Sequence, residues 1–467
     1  MNKYPLLLLL GILIFHVSAA QLRIVYNFGP NGSSPETSLI YASGKFYGMT
    51  YSSGSYGKGC LYSVDTNGNQ YKDILDFNGT NGALPSDFNS TLVYASGKLY
   101  GATPVGSGDG NIFSIDTDGS NFKNLFLFNM TDGYGPGALI YVSGKLYGTT
   151  TGGGTYSDGT VYTIDTNGNN FKTLFNFNHS NGFYPLGNLT YSAGILYGTT
   201  YTGGLYNDGC IFSLDTNGSN YKDLFYFDET DGYEPNGNLA MIGNVLCGTT
   251  LHGGKYGGLY SGGTVFSIHT DGSGFKVLLN FNDTTNGTSP NSSLTIFGNI
   301  LYGLTNGPIY ENGTMYSIDT NGTYHELYCF CQDTLNLGKP IGTMVALANT
   351  LYGLAFDGGV SGNGAIFKYN NSSITGISSL NSFSPIILVY PNPSKGIFNI
   401  NYNAPWMLNN PATCSVKIYN RFGVAVYTNP AVNHFPLQIN LSSQAAGIYI
   451  AQININGQQI IEKLVIE

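Results

Sequence analysis

Charge is scarce in this sequence. Lys, Arg, Asp and Glu make up 10% of 467 residues, where a soluble domain usually carries about 25%. Long amphipathic helices need charged outer faces, so a helical bundle is excluded. The 18 basic residues form no cluster and the net charge is −9. Nothing is therefore in place to neutralise phosphates, which excludes nucleic acid as a partner. Beyond the first twenty residues no apolar run is long enough to cross a bilayer, so no transmembrane helix is expected after that segment. Histidines are few and scattered, at positions 16, 179, 252, 269, 325 and 434, with no HExxH spacing. Six cysteines contain no CxxC and no Cys/His zinc spacing. Gly-rich runs such as Gly152-Gly153-Gly154 lack the Lys-Ser/Thr of a phosphate loop. No Gly-x-Ser-x-Gly elbow sits on a strand-to-helix turn. No catalytic residue, metal site or cofactor is expected.

Glycine and aromatic residues are abundant: Gly 65, Tyr 37 and Phe 27. Aromatic strands separated by Gly/Asn turns produce that mixture. A Leu-Tyr-Gly motif places glycines at 48, 101, 148, 198, 248, 303 and 353, in steps of 53, 47, 50, 50, 55 and 50. Such a period excludes the shorter helical repeats and fits four-stranded propeller blades. One repeat shows the internal order. Ala138-Leu139-Ile140-Tyr141 is a strand, turned by Ser143-Gly144. Leu146 to Thr150 is a second strand, whose glycine marks a close backbone approach. A Gly-rich loop over 152–159 leads to a third strand, 160–164. Asp165-Thr166-Asn167-Gly168 is a tight turn, and 171–177 is the fourth strand. Asp165, Asn167 and Asn169 imitate a calcium loop, but glycine falls at the wrong place and no closing Glu follows, so an ordinary hairpin is expected.

The seventh repeat stops after a third strand, at 365–369, whereas 22–28 matches a fourth strand. The spacing thus predicts an all-β, seven-bladed propeller over 21–369, with the early strand completing the last blade and removing an open sheet edge. Cys60 and Cys210 occupy the slot of Thr160, Thr264 and Thr314, and Cys247 replaces the Tyr of the motif, which reads as drift at small packed sites. Cys329 and Cys331 are expected to share one face of a strand. Copies such as Leu196-Tyr197-Gly198-Thr199-Thr200, followed by Gly203-Gly204 and Gly209, resemble the GloVer-type tandem repeats of secreted bacterial proteins over roughly residues 39 to 369. That resemblance implies architecture and export, with no assigned activity.

The two ends carry export features. Lys3, the apolar run 6–14 and Val17-Ser18-Ala19-Ala20 read as a signal peptide over 1–20. A Ser/Asn-rich linker at 370–387 precedes a new pattern over 388–467: Val389-Tyr390-Pro391-Asn392-Pro393, Leu441-Ser442, Ala446-Gly447-Ile448-Tyr449 and Lys463-Leu464-Val465. Its strand spacing predicts a small Ig-like β-sandwich. The block resembles the type A sorting domain of the type IX secretion system (T9SS), which implies the type IX machinery as a partner and a secreted or outer-membrane-surface location.

Chain order also locates a candidate site. The links between second and third strands, and between blades, are the longer ones and emerge on the same face. Binding sites favour such loops on a rigid scaffold. That rim carries Tyr56, Tyr156, Tyr206, Tyr256, Asp132, Asp158, Asp208 and Asp231, and the longest loop adds His252 and Tyr260. Tyr, Asn and Gly there suit stacking and hydrogen bonding to a glycan or surface partner. Any single tyrosine reads more readily as consensus packing between blades, so the expectation attaches to the face rather than to one residue. The alternative function is a polysaccharide hydrolase or lyase, which needs acids or histidines converging on the ring axis.

Overall fold

The computed structural model describes residues 22–29, 34–85, 91–106, 108–257, 262–307, 312–332, 335–370, 386–390, 394–403, 414–430, 432, 437–455 and 458–466. The expected signal peptide, the linker apart from Asn370 and 386–387, positions 391–393 and Tyr260 lie outside the described residues. Among these residues there is no α-helix, only two 3-10 turns of three residues each. Blade 1 comprises Ile40–Ala42, Lys45–Thr50, Cys60–Asp65 and Lys72–Asp76, hydrogen-bonded in that order. Blades 2 to 6 repeat the meander at 93–127, 134–176, 190–226, 233–280 and 295–329. Blade 7 takes three strands from 337–370 and its fourth, Leu22–Asn27, from the start of the ring. The register pairs Leu22 with Tyr369, Ile24 with Phe367 and Asn27 with Ala365.

Packing ties the blades into a closed ring. Each blade buries residues on both faces, and every hydrophobic cluster of the ring joins two successive blades. Tyr47, Leu61 and Phe77 of blade 1 pack on Leu92, Leu99 and Phe113 of blade 2. The last cluster returns to the start, with Phe28, Tyr352 and Ile366 of blade 7 against Phe46, Tyr62 and Val64 of blade 1. Aromatic stacking reinforces several joints: Phe126 on Phe171, Phe175 on Tyr221 and Phe225 on Phe275, with ring centroids 3.7–3.9 Å apart. Such pairs add about 0.5–1.5 kcal/mol beyond area burial.

The glycines of the repeated motif fill the role their spacing suggested. Gly148 lies opposite Tyr162 on the neighbouring strand, and the aromatic ring covers it. A Cβ there would stand 2.5 Å from Tyr162 Oη. The same overlap occurs at Gly48 with Tyr62, Gly198 with Phe212 and Gly303 with Tyr316, at 2.3–2.5 Å. The turns after the third strands are internally bonded hairpins. At Asp165 the carboxylate accepts from Lys145 Nζ and Asn170 Nδ2, at 2.6 and 2.7 Å.

Cysteine drift is visible atom by atom. Thr150–Thr160, Thr250–Thr264 and Thr305–Thr314 pair hydroxyls at 2.8–2.9 Å. Cys60 and Cys210 keep that contact with Thr50 and Thr200 at 3.3 and 3.2 Å. Burial pushes the thiols of Cys60, Cys210 and Cys247 up to about 12, which leaves almost no thiolate. These three should resist iodoacetamide in the native protein at mildly alkaline pH and react once guanidinium unfolds it. Native labelling as fast as in denaturant would contradict their burial. The expectation for Cys329 and Cys331 needs correction. The strand ends at Cys329, the turn Phe330–Gln332 folds back, and the two sulfurs form a disulfide.

Further along the chain, two sheets share one core. Phe398, Ile400 and Ile439 of the three-stranded sheet pack with Val416, Ile418, Ala451, Ile453 and Leu464 of the four-stranded one. This is a two-sheet β-sandwich.

Candidate binding face

The longer links do share one face of the ring. Gly154, Gly204 and Gly254 open the loops between second and third strands. Their N–H groups donate to Met130, His179 and Glu229 of the preceding inter-blade links at 2.8–3.0 Å. A device not foreseen from the repeat then locks each blade to the next. Ser34, Leu84, Gly135, Tyr184, Glu234, Ser289 and Lys339 each precede a proline and take left-handed backbone, with φ between 45° and 63°. All seven N–H groups donate to a loop carbonyl of the preceding blade at 2.8–3.3 Å. The following proline rests on the glycine that ends that loop; a Cβ on Gly209 would lie 2.8 Å from Pro235 Cδ. Left-handed geometry is costly for residues other than glycine and persists only where surroundings fix it. The backbone is thus held alike in seven places while the side chain differs in nearly all.

The predicted acids fall on repeated structural positions. Asp158 and Asp208 supply two of those seven carbonyls, to Tyr184 and Glu234. Asp132 and Asp231 offer carbonyls to the hydroxyls of Thr160 and Thr264, at 3.4 and 2.9 Å. The repeated contact is made by the backbone, and the Asp132 carboxylate additionally accepts from Asn129 Nδ2 at 2.5 Å. Asp208 is nonetheless electrostatically loaded: burial raises its carboxyl, as do Glu229, Asp228 and Glu234. Burial and then Asp228 raise Asp231.

The predicted tyrosines do not pack between blades. Tyr56, Tyr156, Tyr206 and Tyr256 are 60%, 58%, 57% and 52% exposed. Leu205 stands beside Tyr206 in the same loop, Val105 and Val360 occupy the loops of blades 2 and 7, and all three are also exposed. The tips are nevertheless pinned from the outermost strands. Thr155 N and Lys255 N donate to Asn176 and Asn280 side chains at 2.9 and 2.8 Å. Ser55 Oγ donates to Asp76 at 2.6 Å, and Val360 N to Asn27 at 2.9 Å. Beside Tyr256, Lys255 lies 4.9 Å over the ring, and an open groove of about 470 Å³ runs along Leu278, Leu279 and Asn286. His252 is set apart from the tips: its side chain is 11% exposed and its Nε2 is 3.4 Å from Glu234 Oε2. Burial holds its pKa below the ordinary value against the opposing pull of Glu234.

The axis is lined by small, uncharged groups. Ser38, Thr91, Ala138, Asn188, Asn238, Ser293 and Thr343 precede the buried first-strand residue in successive blades. Several bond around the ring: Asn188 N to Asn238 Oδ1 at 2.6 Å, Asn238 N to Ser293 Oγ at 2.8 Å, and Thr343 N to Ser38 Oγ at 2.9 Å. None of these seven positions titrates. Among the described residues no three His, Cys, Asp or Glu gather as a metal set.

Comparison with known proteins agrees with this architecture. Residues 87–258 match the Gloeobacter/Verrucomicrobia repeat, and residues 388–467 match the secretion system C-terminal sorting domain. No curated protein matches the chain. Among solved structures, a puromycin-hydrolyzing peptidase of Mycobacterium tuberculosis superposes with a TM-score of 0.50 at 9% identity, over 81% of this chain and 60% of its own. PorZ, a surface component of the type-IX secretion system of Porphyromonas gingivalis, gives a TM-score of 0.34 at 12% identity, over 92% of this chain and 69% of its own. The β-propeller domain of the Trilobed protease from Pyrococcus furiosus gives 0.44 at 10% identity, over 72% of this chain and 94% of its own. The chain spans 60% of the peptidase's length, and likeness at such identity concerns the fold alone. A sorting domain of this kind indicates export through the type IX machinery, to the cell surface or the medium. With seven closed blades ahead of that domain, the chain is an exported β-propeller protein that carries the Gloeobacter/Verrucomicrobia repeat and the T9SS C-terminal sorting domain.

Proposed function

We propose that the loop-rich face is a non-enzymatic binding surface for a glycan or another surface ligand outside the cell. The pinned, exposed tyrosine tips carry this reading. Four tyrosines at repeat-equivalent positions are each more than half exposed, and the residue before Tyr56, Tyr156 and Tyr256 is held by a hydrogen bond to the outermost strand before any ligand arrives. Preorganised aromatic groups lose little entropy on binding, and points repeated around a ring engage a repeating polymer together. The hydrolase or lyase alternative finds less support, because the axial positions carry no acid and no histidine.

The test is a fourfold variant, with Tyr56, Tyr156, Tyr206 and Tyr256 changed to Ala, probed on a glycan array and by titration of the best polymer. Avidity should fall at least about a hundredfold, while thermal stability stays within about 0.5 kcal/mol because these residues pack on little. Undiminished binding would remove the tips from the mechanism. Turnover of a polymer, abolished by changing a rim acid, would replace the binding reading with the enzymatic one.

A further inference from the structure

One sector of the face differs from the rest. At the junctions of blades 3 with 4 and 4 with 5 the left-handed positions carry Tyr184 and Glu234, whereas the other five hold Ser34, Leu84, Gly135, Ser289 and Lys339. Tyr201 Oη donates to Glu234 Oε2 at 2.8 Å, and His252 Nε2 approaches the same oxygen at 3.4 Å. Glu234 is 18% exposed at its side chain. Tyr184 and Tyr201 stand 6.3 Å apart with their planes at 63°, and the ring of Tyr233 is 5.5 Å from that of His252. The result is a half-buried aromatic corner with a carboxylate at its floor.

Charge separates this corner from its counterpart in blade 7. There Lys339 occupies the left-handed position and pairs with Asp357 at 2.8 Å, so the charges cancel. At Glu234 the facing groups are Tyr201 and His252, and burial keeps the imidazole toward its neutral form. The surrounding links add Asp208, Asp228, Glu229 and Asp231, and Lys255 is the one basic residue on them. Their mutual repulsion is visible in Asp208, whose carboxyl is raised by burial and by its acidic neighbours. A cation entering here would meet aromatic faces and an unneutralised carboxylate together, a combination that favours organic ammonium groups.

We infer that the corner formed by Tyr184, Tyr201, Glu234 and His252 binds an amino-sugar unit, a saccharide ring bearing a free ammonium group. This rests on the binding-face reading and names one subsite within it. The apolar face of the sugar lies against Tyr184 or Tyr201, and the ammonium group reaches Glu234.

The probes are a tetramer of β-1,4-linked glucosamine and its fully N-acetylated counterpart, titrated into the whole protein at mildly acidic pH, where the free amine is protonated. The glucosamine tetramer should bind at least about tenfold more tightly, and its affinity should fall as salt rises. Glu234→Gln should abolish the preference, and Tyr184→Ala should weaken the glucosamine tetramer while leaving the melting curve in place. Equal affinity for both tetramers, binding of neither, or a preference that survives Glu234→Gln in a folded protein would overturn the subsite. In those cases the face reading is decided separately by the fourfold tyrosine variant on the array.

Discussion

A chain lacking residues 22–28 is expected to lose its cooperative thermal transition and to aggregate at concentrations where the full ring stays monodisperse. The closing strand carries Leu22 and Phe28, buried to 2% and 0% exposure. Leu22 belongs to the cluster between blades 6 and 7, and Phe28 to the one between blades 7 and 1. Removing the strand opens both at once and exposes the edge of Ala365–Asn370, a template for pairing with another chain. Milder variants give the scale. Phe28→Ala should cost about 3–5 kcal/mol and Leu22→Ala about 2–5 kcal/mol, read from denaturant midpoints. Arg23 is exposed, and Arg23→Ala should shift the midpoint negligibly. A truncated chain that melted as sharply as the full one would mean that the other five joints hold the ring unaided.

The second large effect concerns the motif glycines. Gly148→Ala places a methyl group 2.5 Å from Tyr162 Oη and 3.0 Å from Leu139 Cδ2. Both neighbours are fully or nearly fully buried, at 0% and 1% exposure, so neither has space to retreat. Overpacking of this kind costs about 1–3 kcal/mol, and the β-branched Gly148→Val should cost more. Trimming the opposing ring supplies the control. In a double-mutant cycle, Tyr162→Leu should recover part of the loss from Gly148→Ala, giving a coupling energy of about 0.5–3 kcal/mol. Gly144→Ala is a contrast of another kind: no atom lies within 4 Å of its Cβ position, and only its φ of +87° resists a side chain. Additive costs at Gly148 and Tyr162 would mean that the ring does not cover the glycine in solution.

Much of this fold was legible in residue order. The motif glycines repeat because an aromatic ring needs a bare backbone opposite it, and that demand recurs in every blade. The strand at 22–28 was recognisable because it carries the fourth-strand pattern with no preceding blade. The left-handed residues were not legible. Prolines at 35, 85, 136, 185, 235, 290 and 340 recur in steps of 50, 51, 49, 50, 55 and 50, a signal as regular as the glycine one. The residue before each varies from Gly to Tyr to Lys, so its conformation leaves no trace in residue type, and proline normally disfavours helical backbone there. The disulfide escaped for a related reason. Alternation places Cys329 and Cys331 on one side of a strand, and only the end of the strand at Cys329 brings the sulfurs together.

For the candidate face, the tyrosines could be located but not oriented. The same Tyr in the same loop would be core if the loop folded inward. What turns it outward is the side chain of Asn176 or Asn280 in another strand, holding the residue before it. The Glu234 corner is less visible still, because it joins residues of two blades, and no repeat-mate of Tyr184 or Glu234 is of the same type.

The pairing of Arg23 with Lys368 also fixes an order in time. Contacts so distant in sequence form slowly, because a very long loop must close first. During synthesis the closing strand emerges before all seven copies of the motif, and its partner emerges after the last of them. It finds its partner only when the seventh blade arrives, and the sorting domain follows that blade after the linker at 370–387. A polypeptide cut short before Ala365 therefore lacks the closing partner and the export determinant alike. Ring completion and eligibility for export are reached in the same final stretch of the chain, so the order of elements itself favours delivery of finished rings.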